Sequence, residues 1–571
     1  MAKAERSVQD LVNQIKRREI VLPEMQRRYV WKSSQVRDLI DSLYRGYPSG
    51  AILLWETPGD VQLQSFAVEQ DGSPISSQQL LLDGQQRLTS LTALLTGEEL
   101  LVRNRRRPIK ILFNLDHPDF LESVDFDTEA TDLELEGPEE DDSDESDDLE
   151  YEDDASHLTF IVGQTKYERM QNWISVTDIL QKDNTEILQD AGVNSFHDPR
   201  FKKYNQRINK VKEIPKYLYR LDVLDRSLSY EEVTEIFVRV NSKGTTLRGS
   251  DLALAQVTAK WPGCLADFQA FEKKCNQQNF NFDVGVNLRS LVSVITDQCK
   301  FNNVGLIQRS FLEEKWPATK KAMEFSTNFL KLNCGVASSA LLSSNNIALI
   351  LAYIAHRWDY SIQPEEADQL RRYLLLSNAK GRYTRASSES VLDQDLRTVK
   401  EGGRVPELLA TLVAQVGRLS VDPGDFVNRK SSSPIFRTAF MAFEAQDAKD
   451  WKNSIKISKL LSGSSYSLQV HHIFPRARLE GHYDPREIND VANFAFISAA
   501  TNNWIKARKP SIYVPEFIQE RGEEIFSDQC IPTQTSLLEI DAYPEFLAKR
   551  RVLMANRLNE FLGVTEQSLN K

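Results

Sequence analysis

Leu80-Leu81-Leu82-Asp83-Gly84-Gln85-Gln86-Arg87-Leu88-Thr89-Ser90-Leu91-Thr92-Ala93-Leu94-Leu95 is the stretch whose reading decides the fold. Leu80 to Leu82 is a short apolar run of the kind found in buried strands, and Leu88 to Leu95 reads as a buried helix. Gly84 marks the turn between them. A glycine turn from strand into helix exposes backbone N–H groups at a helix N-terminus, where anions bind favourably. Arg87 adds a planar guanidinium suited to phosphate. The two glutamines could orient a water or read a base. Asp83, Gly84, Gln85, Gln86 and Arg87 are therefore candidate nucleotide-binding residues, with a capped turn that only stitches the fold as the alternative. No GxxxxGK[ST] occurs in the chain, so a Walker loop is excluded.

Working outward, the first 120 residues predict α/β structure. Ser7 to Lys16 is an amphipathic helix with Val8, Leu11, Val12 and Ile15 on one face. Ser33 to Tyr44 opens on a serine cap and aligns Val36, Leu39, Ile40 and Leu43. Ala51 to Trp55 and Ile109 to Asn114 read as strands, as do Leu158 to Val162, which should resume the sheet, and Tyr217 to Leu224. From Ser250 to about Glu444 the periodicity is mostly helical, without a fixed repeat.

Length and composition bound the rest. At 571 residues the chain exceeds one core, by a prior of roughly 150 residues per domain. No apolar run is long enough to cross a membrane and no signal peptide is visible, so a cytoplasmic protein is expected. The five cysteines form no CxxC pair, which argues for buried free thiols over a disulfide framework or zinc knuckle. The net charge of −12 is misleading for a nucleic-acid binder. Asp125 to Asp154 holds 18 Asp and Glu and no Lys or Arg; without it the balance is +6. That segment buries too little apolar surface to order itself and should be disordered. It is read as a solvated loop or as a DNA mimic that occludes a basic channel.

Near the C-terminus, Tyr466, Leu468 and Val470 alternate with polar residues and lead into His471-His472-Ile473-Phe474-Pro475. Val491 to Ile497 predicts a second strand and Thr501 to Lys506 a helix. One imidazole and one amide suit a divalent ion. A second imidazole, pointing to the other side of the strand, suits a general base near neutral pH. A third polar group should orient that base, and Asn493 is suitably placed. Lys506, Arg508 and Lys509 follow, where they could grip a phosphate backbone.

His471-His472-Ile473-Phe474-Pro475, Asn493 and Asn502 together resemble the HNH (ββα-metal) endonuclease motif. The resemblance implies His471 and Asn502 as metal ligands, His472 as general base and Asn493 as the residue that fixes the imidazole. Asn503 competes with Asn502, because spacing does not separate neighbours. Many relatives carry an acidic residue where His471 stands. Asp83-Gly84-Gln85-Gln86-Arg87, with Gln26-Arg27, Tyr47-Pro48-Ser49-Gly50 and Asn241-Ser242-Lys243-Gly244, is similar to the ParB/sulfiredoxin-like N-terminal domain of GmrSD-type, type IV restriction endonucleases. In that family the loop is linked to NTP binding, which adds Gln26 and Arg27 to the nucleotide set. Gly381-Arg382-Tyr383 is similar to a further short element of such proteins.

The combined resemblance implies an α+β multidomain chain. Residues 1–250 would be the ParB/sulfiredoxin-like NTP-binding domain with the acidic insert 125–154, 251–435 a helical scaffold, and 436–571 the HNH domain. The implied activity is a nucleotide-regulated DNA endonuclease, nicking or cleaving phage or modified DNA. It would use Mg²⁺ or Mn²⁺ and GTP or ATP. The alternative is a DNA-binding regulatory NTPase with an inactive or secondary HNH module. Cutting both strands with one such site per chain needs a homodimer or sequential nicks.

Overall fold

The computed structural model describes residues 2–24, 29–56, 63–64, 78–102, 105, 107–118, 155, 157–242, 249–302, 304–384, 388–458 and 467–564. The acidic segment 125–154 lies outside them. Two compact units divide the chain: one extends to residue 267 and takes back 304–306, and the other holds 268–303 and 307–571.

The strands run β1 (Ala2–Ser7), β2 (Ile20–Pro23), β3 (Ile52–Glu56), β4 (Leu63–Gln64), β5 (Gln79–Asp83), β6 (Ile111–Asn114), β7 (Phe160–Val162), β8 (Trp173–Ser175) and β9 (Leu218–Leu224) in the first unit. Its main sheet has the order β1-β9-β3-β5-β2-β4 and mixes parallel and antiparallel neighbours. Helices α1 (Val8–Lys16), α2 (Ser33–Arg45) and α3 (Gln85–Thr96) cover one face. Ser7 caps α1, its hydroxyl accepting from Asp10 N at 3.1 Å. Leu11, Ile15, Val36, Ile40, Leu88 and Leu91 join Leu54, Leu81 and Leu221 in one core. Leu53, Trp55, Leu80 and Leu82 point the other way, against Val233 and Phe237. Both faces of β3 and β5 are thus covered. That is why these strands read as unbroken apolar runs and not as alternation.

Leu158 to Val162 does not resume this sheet. β7 pairs with β6, and β6 with β8, in a separate antiparallel sheet. Short apolar runs announce a strand but carry no record of its partner.

The second unit is mainly helical. Its helix Asn346–Arg357 buries every residue from Asn346 to Ala355. Beside it lies a closed polar cluster. Arg382 donates to Asp395 through Nε at 2.8 Å and Nη2 at 2.6 Å, and both side chains are fully buried. β10 (Leu468–His472) and β11 (Phe494–Ser498) form an antiparallel pair that pairs His471 with Ala495 and His472 with Phe494. The helix Ala499–Ile505 follows directly.

The expected division at 435/436 is absent: both stretches belong to one unit. The helix Pro434–Ala445 explains this. Its Phe436 stacks on Phe496 of β11 with centroids 5.0 Å apart, and Phe440 meets the same ring edge-on at 4.7 Å. Its Thr438 accepts from Asn378 Nδ2 at 3.3 Å, within the helix Pro364–Ala379. One helix packed on both sides leaves no seam.

Candidate active site

Ser498 ends β11 and caps the next helix, its hydroxyl accepting from Thr501 N at 3.3 Å. Behind the cap sits Asp450, 2 % exposed. Its carboxylate accepts from Ser498 N at 2.7 Å and Thr501 Oγ1 at 2.6 Å. Asn502 is thereby held one residue into a fixed helical turn.

His471 is buried, its ring edge-on to Trp451 at 5.8 Å and to Tyr513 at 6.2 Å. Its Nδ1 lies 2.8 Å from Asn502 Oδ1. With the amide oxygen facing it, Nδ1 carries the proton and Nε2 the lone pair. That Nε2 is buried without a hydrogen-bond partner, as is the indole Nε1 of Trp451. Burial pushes the His471 pKa down to about 4, against the opposing Asn502 hydrogen bond. The ring is therefore neutral at pH 7.

His472 is half-buried, with its ring edge-on to Phe494 at 4.8 Å. Its Nε2 donates to Asn489 Oδ1 at 3.1 Å, which leaves the lone pair on Nδ1. Burial lowers its pKa below the ordinary imidazole value, and the Asn489 hydrogen bond partly restores it.

Asn493 does not fix an imidazole. Its Oδ1 accepts from Phe474 N at 2.9 Å, and its Nδ2 donates to Phe474 O at 3.1 Å and Ile488 O at 3.0 Å. A fully buried amide must satisfy its own polar atoms, and here the backbone of the connecting loop does so. Asn489 makes the contact that Asn493 was expected to make. Asn502 meets His471, whereas Asn503 is exposed on the helix. Lys506 is exposed in a left-handed conformation at φ 50°, and Lys509 caps the helix Pro510–Arg521. Arg508 donates to Glu516 at 2.5 Å. Among the described residues no group of three His, Cys, Asp or Glu side chains could hold a metal ion. An ion at His471 would therefore rely on amide oxygen and water for its other ligands.

At the other candidate, Gly84 has φ 98°, and a Cβ there would lie 2.3 Å from Ile52 Cδ1. Only glycine fits both the left-handed backbone and the space. Arg87 is committed to the fold: it donates to Ser49 O at 2.5 Å, Ala51 O at 2.8 Å and Asp83 Oδ2 at 3.2 Å. Gln86 Oε1 accepts from Val30 N at 2.8 Å. Gln85 is buried with its Oε1 unpartnered, and no side chain caps the first turn of α3. Gln26, Arg27, Lys243 and Gly244 lie outside the described residues.

Residues 8–258 match the family model of the GmrSD restriction endonuclease, N-terminal domain. The match makes this segment similar to that family's N-terminal domain and covers less than half of the chain. An uncharacterized protein of Methanocaldococcus jannaschii is 24% identical over 93% of this chain and 90% of its own length. No helix among the described residues is long and apolar enough to cross a membrane. The GmrSD-like segment contains the Gly84–Arg87 turn, and the His471–Asn502 pair lies beyond it. Two residues of that pair's surroundings, Asn489 and Asp450, carried weak sequence signals. Asp450-Trp451-Lys452-Asn453 has the pattern of an Asx turn, and Asn489 precedes the capping Asp490.

Proposed function

We propose that this chain is a metal-dependent DNA endonuclease of HNH type that nicks or cleaves phage or modified DNA under nucleotide control. The observation that carries the reading is the His471 Nδ1–Asn502 Oδ1 pair, 2.8 Å apart and next to a separately oriented His472. Two adjacent ligands on an ion with bonds of roughly 2.0–2.1 Å stand roughly 3 Å apart, so the donor pair fits Mg²⁺ or Mn²⁺. Bound there, the ion would neutralise charge on a phosphate oxygen and on the departing oxygen. His471 and Asn502 would hold it, with Asn503 the alternative amide. To do so His471 moves its proton from Nδ1 to Nε2, which its neutral state allows.

His472 takes the proton of the attacking water at Nδ1. Asn489 keeps that nitrogen free by occupying Nε2, and Asn493 holds the loop that carries Asn489's neighbours. GTP or ATP would contact the first turn of α3, with Gln26 and Arg27 completing the site. Arg87 shapes the Ser49–Ala51 loop beside it.

Plasmid nicking with Mg²⁺ or Mn²⁺ by the full chain and by His472→Ala tests the base. Equal cleavage by both removes it. NTP hydrolysis by Gln85→Ala tests the nucleotide site, since this amide oxygen anchors nothing in the fold. A chain that hydrolyses NTP and binds DNA but cuts with neither metal is the regulatory NTPase instead.

A further inference from the structure

We propose that Trp504 holds Lys452 and Arg508 together as a cationic clamp for the phosphate backbone of a DNA strand passing the His471–Asn502 pair. The inference rests on the endonuclease reading above. Trp504 lies on the helix that carries Asn502 and is 37 % exposed. Phe517 backs its ring, with centroids 5.0 Å apart. The Arg508 guanidinium sits 4.4 Å from the ring centroid, and the Lys452 ammonium 5.1 Å.

Two cations from distant parts of the sequence thus converge on one indole. The backbone that carries Lys452 is fixed by the fold. The turn bearing Lys452 is built on Asp450, whose Oδ1 accepts from Lys452 N and Asn453 N at 3.0 Å each. The same carboxylate anchors the first turn of the Asn502 helix. Arg521 donates to Lys452 O at 2.7 Å and adds a third cation to that turn.

Like charges drawn to one ring repel unless an anion joins them. Glu516 answers Arg508 at 2.5 Å. Lys452, exposed, pairs with no carboxylate among the described residues. The anion missing at Lys452 fits a backbone phosphate, for which an ammonium serves as a point charge, and Arg508, with Glu516 on its Nη2, adds its charge beside it. Trp504 acts here as a positioning residue, because its ring sets where the two charges stand.

The test measures affinity of the full chain for a labelled DNA duplex across a salt series, in a His472→Ala background that leaves the duplex intact. Each phosphate contact contributes about 0.9 to the slope of log affinity against log salt. Lys452→Ala should flatten the slope by about 0.9. Trp504→Ala should flatten it further, and adding Lys452→Ala to it should change nothing more. Trp504→Phe, which keeps a ring against Phe517, should restore part of the slope. Unchanged slopes, or strictly additive ones, overturn the clamp. If Trp504→Ala fails to fold, the exposed Lys452→Ala and Lys452→Gln still read the contact. If the unmutated chain binds and cuts DNA but these variants show no slope change, the clamp alone is lost. A chain with no salt-dependent DNA binding loses the clamp and the endonuclease reading together.

Discussion

Arg382–Asp395 and His471–Asn502 are both buried polar pairs in the second unit, and they are finished differently. Asp395 accepts from Arg382, from Tyr373 at 3.1 Å, from Tyr383 at 2.6 Å and from Thr411 at 3.1 Å. Arg382 turns its remaining donors to Gln415 and Thr411. Every nitrogen of the guanidinium and both oxygens of the carboxylate thus have a partner within the fold. His471 has one partner, and its Nε2 is orphaned beside the orphaned indole of Trp451. An unpaired buried polar atom costs about 1–3 kcal/mol. The fold itself satisfies Arg382 and Asp395, whereas His471 keeps one unpaired nitrogen, as do other buried groups among the described residues such as Trp316 and Ser377. Arg382 belongs to the motif Gly381-Arg382-Tyr383 that stood out in the sequence, yet its surroundings mark it as scaffold.

Removing His472 should sharpen this contrast most. His472→Ala should reduce plasmid cleavage by roughly 10²- to 10⁴-fold, the range of general-base catalysis, while the chain still unfolds cooperatively. Surviving cleavage would place the chemistry elsewhere. On the scaffold side, Asp395→Ala strands a buried guanidinium and should cost about 3–5 kcal/mol in urea unfolding. Asn502→Ala, tested the same way, should cost about 1 kcal/mol. The reverse order would break the comparison.

The third prediction is a pH window. The pKa of His471 is near 4 in the fold against roughly 6.5 when unfolded. Between those values the unfolded chain binds the extra proton, so stability rises with pH and is complete above the unfolded value. The contribution is on the order of 3 kcal/mol across the whole window. His117 is lowered in the same sense, so the readout is the difference between wild type and His471→Phe at pH 5 and pH 7. A slope unchanged by His471→Phe would show that His471 is not neutral by burial. The smallest effect belongs to Asn489. Its hydrogen bond raises the pKa of His472, so Asn489→Ala should move the acid limb of the cleavage profile to lower pH. No movement would free His472 from Asn489.

Legibility followed the range of the forces involved. Local patterns read well: Val8, Leu11, Val12 and Ile15 do line the buried face of α1, and β3 and β5 lie where apolar runs place them. Pairing between distant segments did not read, and β7 joined a sheet of its own. At the site, strand and helix were visible from alternation and from the residues that begin the helix. The partners of each side chain were not. Asn493 and Asn489 are the same residue type four positions apart, and only loop geometry decides which meets backbone and which meets His472. Arg87 carries a motif's signature, but two of its acceptors are main-chain carbonyls, which leave no trace in sequence.

The helix Pro434–Ala445 has a consequence for modularity. Because its aromatic face forms the back wall of β11 while Thr438 is tied to the helical bundle, the histidine hairpin is not a portable cassette. A fragment starting at residue 467 would expose Phe496 and lose its template. Recombination that moves this hairpin between chains would have to carry the helix, and the groove that receives it, along with it.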